Sequence, residues 1–372
     1  MNENEITSEP SGYENVKSVK RVDKLEIEAL PAGEFSRLFI ELVENGMGRP
    51  IQSPVVVARG KKDGPILGIT SALHGNELNG IPVIHNLLQR VNLKTLRGTI
   101  VCVIAANVPG LLNQQREFSD GIDLNHIMPG KPYGKLSQVY AHQLVERITS
   151  HFDYLIDLHT ASGGRVNSLY IRADLKQTMT AQMAFQMRPQ IIVHNPASDY
   201  TLRGVAAEHG KPAITVEICD PQKFQRDPIR RSIQGIRRVL NHVGLIPKKQ
   251  STTTTKPKPP ILCSRSYWVL AERGGLIHVI PKVTQYVKKG ELIGTQVNIF
   301  GDLIREYHAP EDGIVIGHAT NPVGQTGERI LHLGVLMTED EKREFESISQ
   351  YSLEGIASDS PGKQEVPSMK PL

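Results

Sequence analysis

Four residues of this chain could do chemistry together if the fold collected them: His74, Glu77, His159 and Glu217. His74 and Glu77 stand in SALHGNELNG, residues 71–80, directly after the apolar run Ile66 to Ile69. A buried strand that ends in such a turn presents its next side chains at the carboxyl edge of a sheet, where open α/β folds build their sites. The pair also has a plain reading, a polar helix start that happens to hold His and Glu. His159 ends the strand-like stretch YLIDLHT, and alone it could simply be hydrogen-bonded to backbone. Glu217 sits inside the apolar AITVEIC. An unpaired carboxylate buried there is unfavourable, so it needs an arginine, a metal or a proton to move. Together the four meet one need. A catalytic zinc takes three protein ligands, His2Glu being a standard set, and keeps one position for water. A further carboxylate, not bound to the metal, accepts the water's proton. His74, Glu77 and His159 are the candidate ligands of one zinc per chain, and Glu217 is the candidate base.

The elements that must position them alternate. SRLFIELV, PVVVA, ILGITSAL, GTIVCVIAA, YLIDLH, SLYIRA, IIVHN and AITVEIC read as strands. Helical periodicity runs over 77–91, 134–150 and 226–243. This pattern predicts an α/β fold with a mixed sheet flanked by helices. Residues 1–30 read as a polar leader and 31–245 as the α/β domain. The stretch IPKKQSTTTTKPKPP, 246–260, cannot pack a core and reads as a linker or exposed loop. Residues 261–338 have short strands between glycines and predict a small all-β domain. Residues 339–372 read as a polar tail opening on a short helix. The β unit resembles the two half-motifs of a biotinyl or lipoyl carrier. Its central FGDLIREYH has no lysine, so a lid or scaffold beside the site is the expectation.

Composition narrows the function class. With 372 residues, a net charge of +4 and 5% aromatics, the chain lacks the dense basic, aromatic-interleaved stripe of a nucleic-acid binder. No run of eighteen apolar residues suggests a membrane span, and no apolar segment near the start suggests a signal peptide. Three cysteines without paired spacing imply reduced thiols and a cytoplasmic location. The oligomeric state stays open, a homo-oligomer included. His142, His151, His194, His209, His242 and His278 lack partners at ligand spacing.

The order HGNE, DLNH, DLHT, TVEI resembles the succinylglutamate desuccinylase/aspartoacylase family, within the zinc carboxypeptidase superfamily. The likeness runs over roughly residues 60–240, and the β unit also looks like that family's C-terminal part. It implies a metallocarboxypeptidase-like fold, a single zinc, and hydrolysis of the amide of a small N-acyl amino acid by metal-activated water. It also implies the ligand and base roles given above, Arg116 as the oxyanion-stabilising arginine, and Asn125 as a holder of the substrate carboxylate. The family has arginine after this asparagine, and here stands His126. A histidine offers one donor and is neutral above about pH 6.5, whereas arginine offers a charged fork. The departure therefore points away from N-acetylaspartate and succinylglutamate. Arg165, with Asn167 and Arg172 nearby, is the candidate to hold the anion instead. A carboxypeptidase acting on short peptides and a non-catalytic binding protein are the competing readings.

Overall fold

The computed structural model describes residues 19–196, 200–247 and 258–349. The first part of the expected leader, most of the linker and the end of the tail lie outside them. The strands are β1 (Lys20–Val22), β2 (Phe35–Glu44), β3 (Pro50–Arg59), β4 (Lys62–Ser71), β5 (Arg97–Val103), β6 (Tyr154–His159), β7 (Arg165–Asn167), β8 (Leu169–Ala173), β9 (Ile191–His194) and β10 (Ala213–Ile218). After the linker come β11 (Ile261–Leu270), β12 (Gly275–Val279), β13 (Tyr286–Val287), β14 (Leu292–Val297), β15 (Leu303–His308), β16 (Gly313–Ala319), β17 (Val323–Gly324) and β18 (Arg329–Leu336). The helices are α1 (Gly80–Leu88), α2 (Val108–Leu112), α3 (Leu136–Arg147), α4 (Thr178–Met187), α5 (Leu202–Glu208), α6 (Arg226–His242) and α7 (Glu339–Ser349).

One sheet of fourteen strands runs β1-β2-β3-β5-β4-β6-β10-β8-β9-β11-β18-β16-β13, with β7 on β16. Its centre, β5-β4-β6-β10, is parallel, so four carboxyl ends lie along one edge. Alternation along each strand sorts the core. Ile69, Cys102, Ile156 and Val216 face α1, α4 and α6, whereas Val101, Val103, Leu155 and Ala213 face α3 and α5. The mixed α/β fold expected from the sequence is thus present, together with a smaller four-stranded antiparallel sheet, β15-β14-β12-β17. The C-terminal strands also extend the large sheet, because β11 pairs parallel with β9. That pairing places β11 and β18 beside the central edge. The helix read over 77–91 is shorter, starting at Gly80. The Glu77 N–H donates to the His74 carbonyl within the preceding turn, and Asn79 is committed to the Ile218 and Asp220 carbonyls.

Candidate active site

The site grows out of the strand period. On β6 and β10 every second residue points to the α3/α5 face, and near their carboxyl ends that face turns polar. Pairing aligns Thr70, Asp157, Thr215 and Arg172 in one row across β4, β6, β10 and β8. The next row is His159, Glu217 and Tyr170. Paired residues on adjoining strands sit about 4.8 Å apart and share a face, so Glu217 stands beside His159 by register.

His74 and Glu77 come over from the turn after β4. Gly75 makes that turn feasible. A Cβ there would lie 1.9 Å from the Gly110 carbonyl carbon, so no side chain fits between the turn and α2. The result is a buried cluster. His74 Nδ1 lies 2.9 Å from Glu77 Oε1, His159 Nδ1 2.9 Å from Glu77 Oε2, and the two Nδ1 atoms 3.1 Å apart. The outer nitrogens are both held by carboxylates: His159 Nε2 is 2.7 Å from Asp157 Oδ2, and His74 Nε2 is 3.1 Å from Asp123 Oδ1. Thr70 Oγ1 donates to the other Asp157 oxygen at 2.6 Å. Carboxylates behind imidazoles fix the ring and its tautomer in metal sites.

These residues fit a zinc ion. With bonds of about 2.0–2.1 Å, a tetrahedral zinc holds its donors about 3.3 Å apart, close to the separations found. One donor atom from each of His74, Glu77 and His159 lies within 4.8 Å of the others. The electrostatics agree. Burial alone would lower His159, but Asp157 and Glu77 outweigh it and hold the imidazole well above its ordinary value. Burial would raise Glu77, but His74 and His159 hold it well below the carboxylate range. The pocket therefore favours positive charge at its centre, part of which Arg116 already supplies with Nη1 3.2 Å from His74 Nδ1 and 3.0 Å from Glu77 Oε1.

Arg116 is gripped from behind. Its Nε donates to Asp123 at 2.9 Å, and Nη1 reaches Glu77 Oε1 at 3.0 Å. Glu217 Oε1 is 3.6 Å from Arg172 Nε, and Oε2 accepts a long 3.5 Å bond from Asn167 Nδ2. Burial first, with the Glu77 charge adding, raises Glu217 above its ordinary value despite the opposing Arg172. Asn125 Oδ1 accepts from Leu202 N at 2.9 Å. His126 is 72% exposed, 3.6 Å from Asp123. All ten residues singled out by sequence, Arg172 included, line one cavity of about 330 Å³.

Others line or support it without having been singled out. Asp123 and Asp157 carried a readable signal: each lies within a quoted motif, and Asp157 is a buried carboxylate in an apolar strand, like Glu217. Arg203, Trp268, Arg329 and His332 carried none, because remote segments bring them in. The β unit walls the cavity through Ser266, Tyr267 and Trp268 of β11 and Arg329 and His332 of β18. The three cysteines are free, and no helix among the described residues is long and apolar enough to cross a membrane.

The chain is thus an α/β protein with a buried His-Glu-His cluster at the carboxyl edge of a mixed sheet. Residues 63–243, just under half of the chain, match the Succinylglutamate desuccinylase/Aspartoacylase catalytic domain. A curated relative, the N-alpha-acetyl-L-2,4-diaminobutyric acid deacetylase of Halomonas elongata, is 24% identical over 76% of this chain and 84% of its own length. Among solved structures, the ectoine utilization protein EutE of Ruegeria pomeroyi shares the fold at TM-score 0.74 and 20% identity, over 82% of this chain and 98% of its own. A succinylglutamate desuccinylase/aspartoacylase of Rhodobacter sphaeroides does so at 0.73 and 21%, over 82% and 96%.

Proposed function

We propose that the protein is a zinc-dependent amidohydrolase that removes the acyl group from a small N-acyl amino acid or related compound. One observation carries this reading: three buried ligand atoms converge while Glu217, in register with His159, lines the same cavity without joining them. The relative's deacetylase name supports it. Zinc bound there would polarise the amide carbonyl and bring a water's pKa toward about 7. Glu217 takes the proton from the attacking water and passes it to the leaving nitrogen. Arg116, fixed by Asp123, aims its charge at the carbonyl oxygen as that becomes an oxyanion. Asn125 and the Arg165–Asn167 strand line the substrate space. A cavity of this volume suits a small molecule, and the wall built by β11 and β18 disfavours a long peptide. Free cysteines are consistent with cytoplasmic work on a dissolved substrate. The test is product analysis for a panel of N-acyl amino acids and short peptides, with zinc-loaded and chelator-treated protein. Release of acyl groups that stops on chelation is expected. Cleavage confined to peptides would favour the carboxypeptidase reading.

Two smaller effects follow. A general base must be deprotonated, so activity is present above the Glu217 pKa and lost as pH falls through it. Burial raises that pKa and a zinc ion bound beside it would lower it, so the informative quantity is how the acid limb of kcat/KM moves in a variant. Arg172→Gln removes a cation that holds the pKa down, and the limb should move to higher pH. Arg172→Lys should restore much of it. An unmoved limb in Arg172→Gln would separate Glu217 from that titration. His126 is exposed and 3.6 Å from its nearest carboxylate, a poor clamp, so His126→Ala should change KM by less than about threefold, the scale of exposed charge pairs. Steady-state kinetics checks it.

A further inference from the structure

The cavity continues beyond the reacting groups along a chain of contacts. Glu217 meets Arg172, and Arg172 Nη2 donates to the Tyr170 hydroxyl at 2.8 Å. The Tyr170 ring meets His332 edge-on, with centroids 5.9 Å apart. His332 stacks on Trp268 at 4.9 Å and 11°. The guanidinium carbons of Arg165 and Arg329 lie 5.6 and 5.7 Å from the Trp268 ring centre. In this outer wall Trp268, His332 and Arg329, on β11 and β18, lie beyond the groups that touch the base, whereas Arg165 stands two residues from Asn167, which meets Glu217.

Its charges are not balanced. Arg116 has Asp123 and Glu77, and Arg172 has Glu217. Among the described residues Arg165 forms an ion pair with Glu328 alone, 3.9 Å away and 42% exposed. Among the described residues Arg329 makes no ion pair. Burial, and next the Arg329 charge, pull Arg165 below its ordinary value, with Glu328 and Glu77 opposing. His332 is 2% exposed and bonds Ser266 through Nε2, while its Nδ1 is buried without a partner. Native proteins rarely leave such an atom unmatched unless something else binds it.

We propose that Arg165 and Arg329 on Trp268, with His332 behind, form a subsite for a carboxylate at the end of the substrate remote from the scissile amide. The inference rests on the hydrolase reading and adds where the anion sits. Guanidinium groups match a carboxylate's two oxygens, and an ammonium at that end would be repelled. The carboxylate could belong to the amine part or to the acyl part, and substrates separate the two.

Two matched series serve. In one the acyl group is acetyl and the amine part ends in carboxylate, carboxamide or ammonium. In the other the amine part is constant and the acyl group ends in carboxylate or methyl. In one series KM should be lowest for the carboxylate, by about tenfold or more, and the responding series identifies the source. Arg329→Gln, at an exposed position, should shrink that preference about three- to tenfold, and Arg165→Gln/Arg329→Gln should abolish it. Independently of turnover, succinate and glutarate should bind the protein as purified in calorimetry, with salt-sensitive affinity lost in the double variant. If no compound is hydrolysed yet this binding is seen and lost in the double variant, the hydrolase reading fails and the subsite stands. Equal KM values within both series, or dicarboxylate binding that the double variant leaves intact, would overturn the subsite.

Discussion

Glu217→Gln should keep its zinc and lose roughly 10²–10⁴-fold in turnover, the usual scale for removing a general base. The substitution preserves volume and an acceptor oxygen, so the contacts to Arg172 and Asn167 can persist in modified form. It removes the ability to take a proton. The register places Glu217 next to His159, but its carboxylate meets Arg172, Asn167 and Tyr170, not the donor atoms of the cluster. Metal content measured beside kcat therefore divides the roles. Full zinc with lost turnover fits a base. Zinc lost with the activity would make Glu217 a ligand, and Glu77 would then have to surrender that place. The loss should fall mainly on kcat, because the proton transfer belongs to the chemical step.

Local pattern carried the fold and the reacting centre far because both depend on short-range rules. Strands such as β5 and β6 are continuous apolar runs, since helices cover both faces, and a polar residue within them stands out. That is how His159 and Glu217 were visible. The plain alternative for Glu217, an arginine partner, is realised in Arg172; a half-paired carboxylate can still face the cavity, which leaves room for the proposed base role. Asp157 obeys the same rule two residues before His159. The outer wall was hidden for a different reason. Trp268 and His332 are brought together by the antiparallel pairing of β11 with β18, and β11 reaches the site by adding to β9. No periodicity announces which distant strand will extend a sheet edge. Composition changes texture at 246–260, but it cannot show that the strand after that stretch, β11, pairs with β9. His126 shows the reverse limit: a motif position was legible, whereas its exposure, 72%, was not.

His159→Ala should reduce zinc from about one per chain to near none, and activity with it, because two remaining ligands cannot hold a catalytic tetrahedron. The same variant tests how the cluster is supported. His159 Nε2 is matched to Asp157, which is 0% exposed and otherwise receives Thr70 Oγ1. Removing the imidazole leaves a buried carboxylate short of a partner, at a cost of about 1–3 kcal/mol or more if it stays charged. Lower stability should therefore appear even when wild type and variant are compared metal-free, and Asp157→Asn in the His159→Ala background should recover part of it. The fold itself should survive, since the core on both faces of β6 is built from Leu155, Ile156 and Leu158. Asp157→Asn alone keeps all three ligands and should weaken zinc by roughly 10–100-fold, the range for losing the partner behind a ligand. Metal analysis, zinc titration with a competing chelator and thermal melts of the four proteins separate these effects. Wild-type zinc content in His159→Ala would remove His159 from the site. Unchanged zinc affinity in Asp157→Asn would mean that the carboxylate behind the imidazole serves the sheet and not the metal.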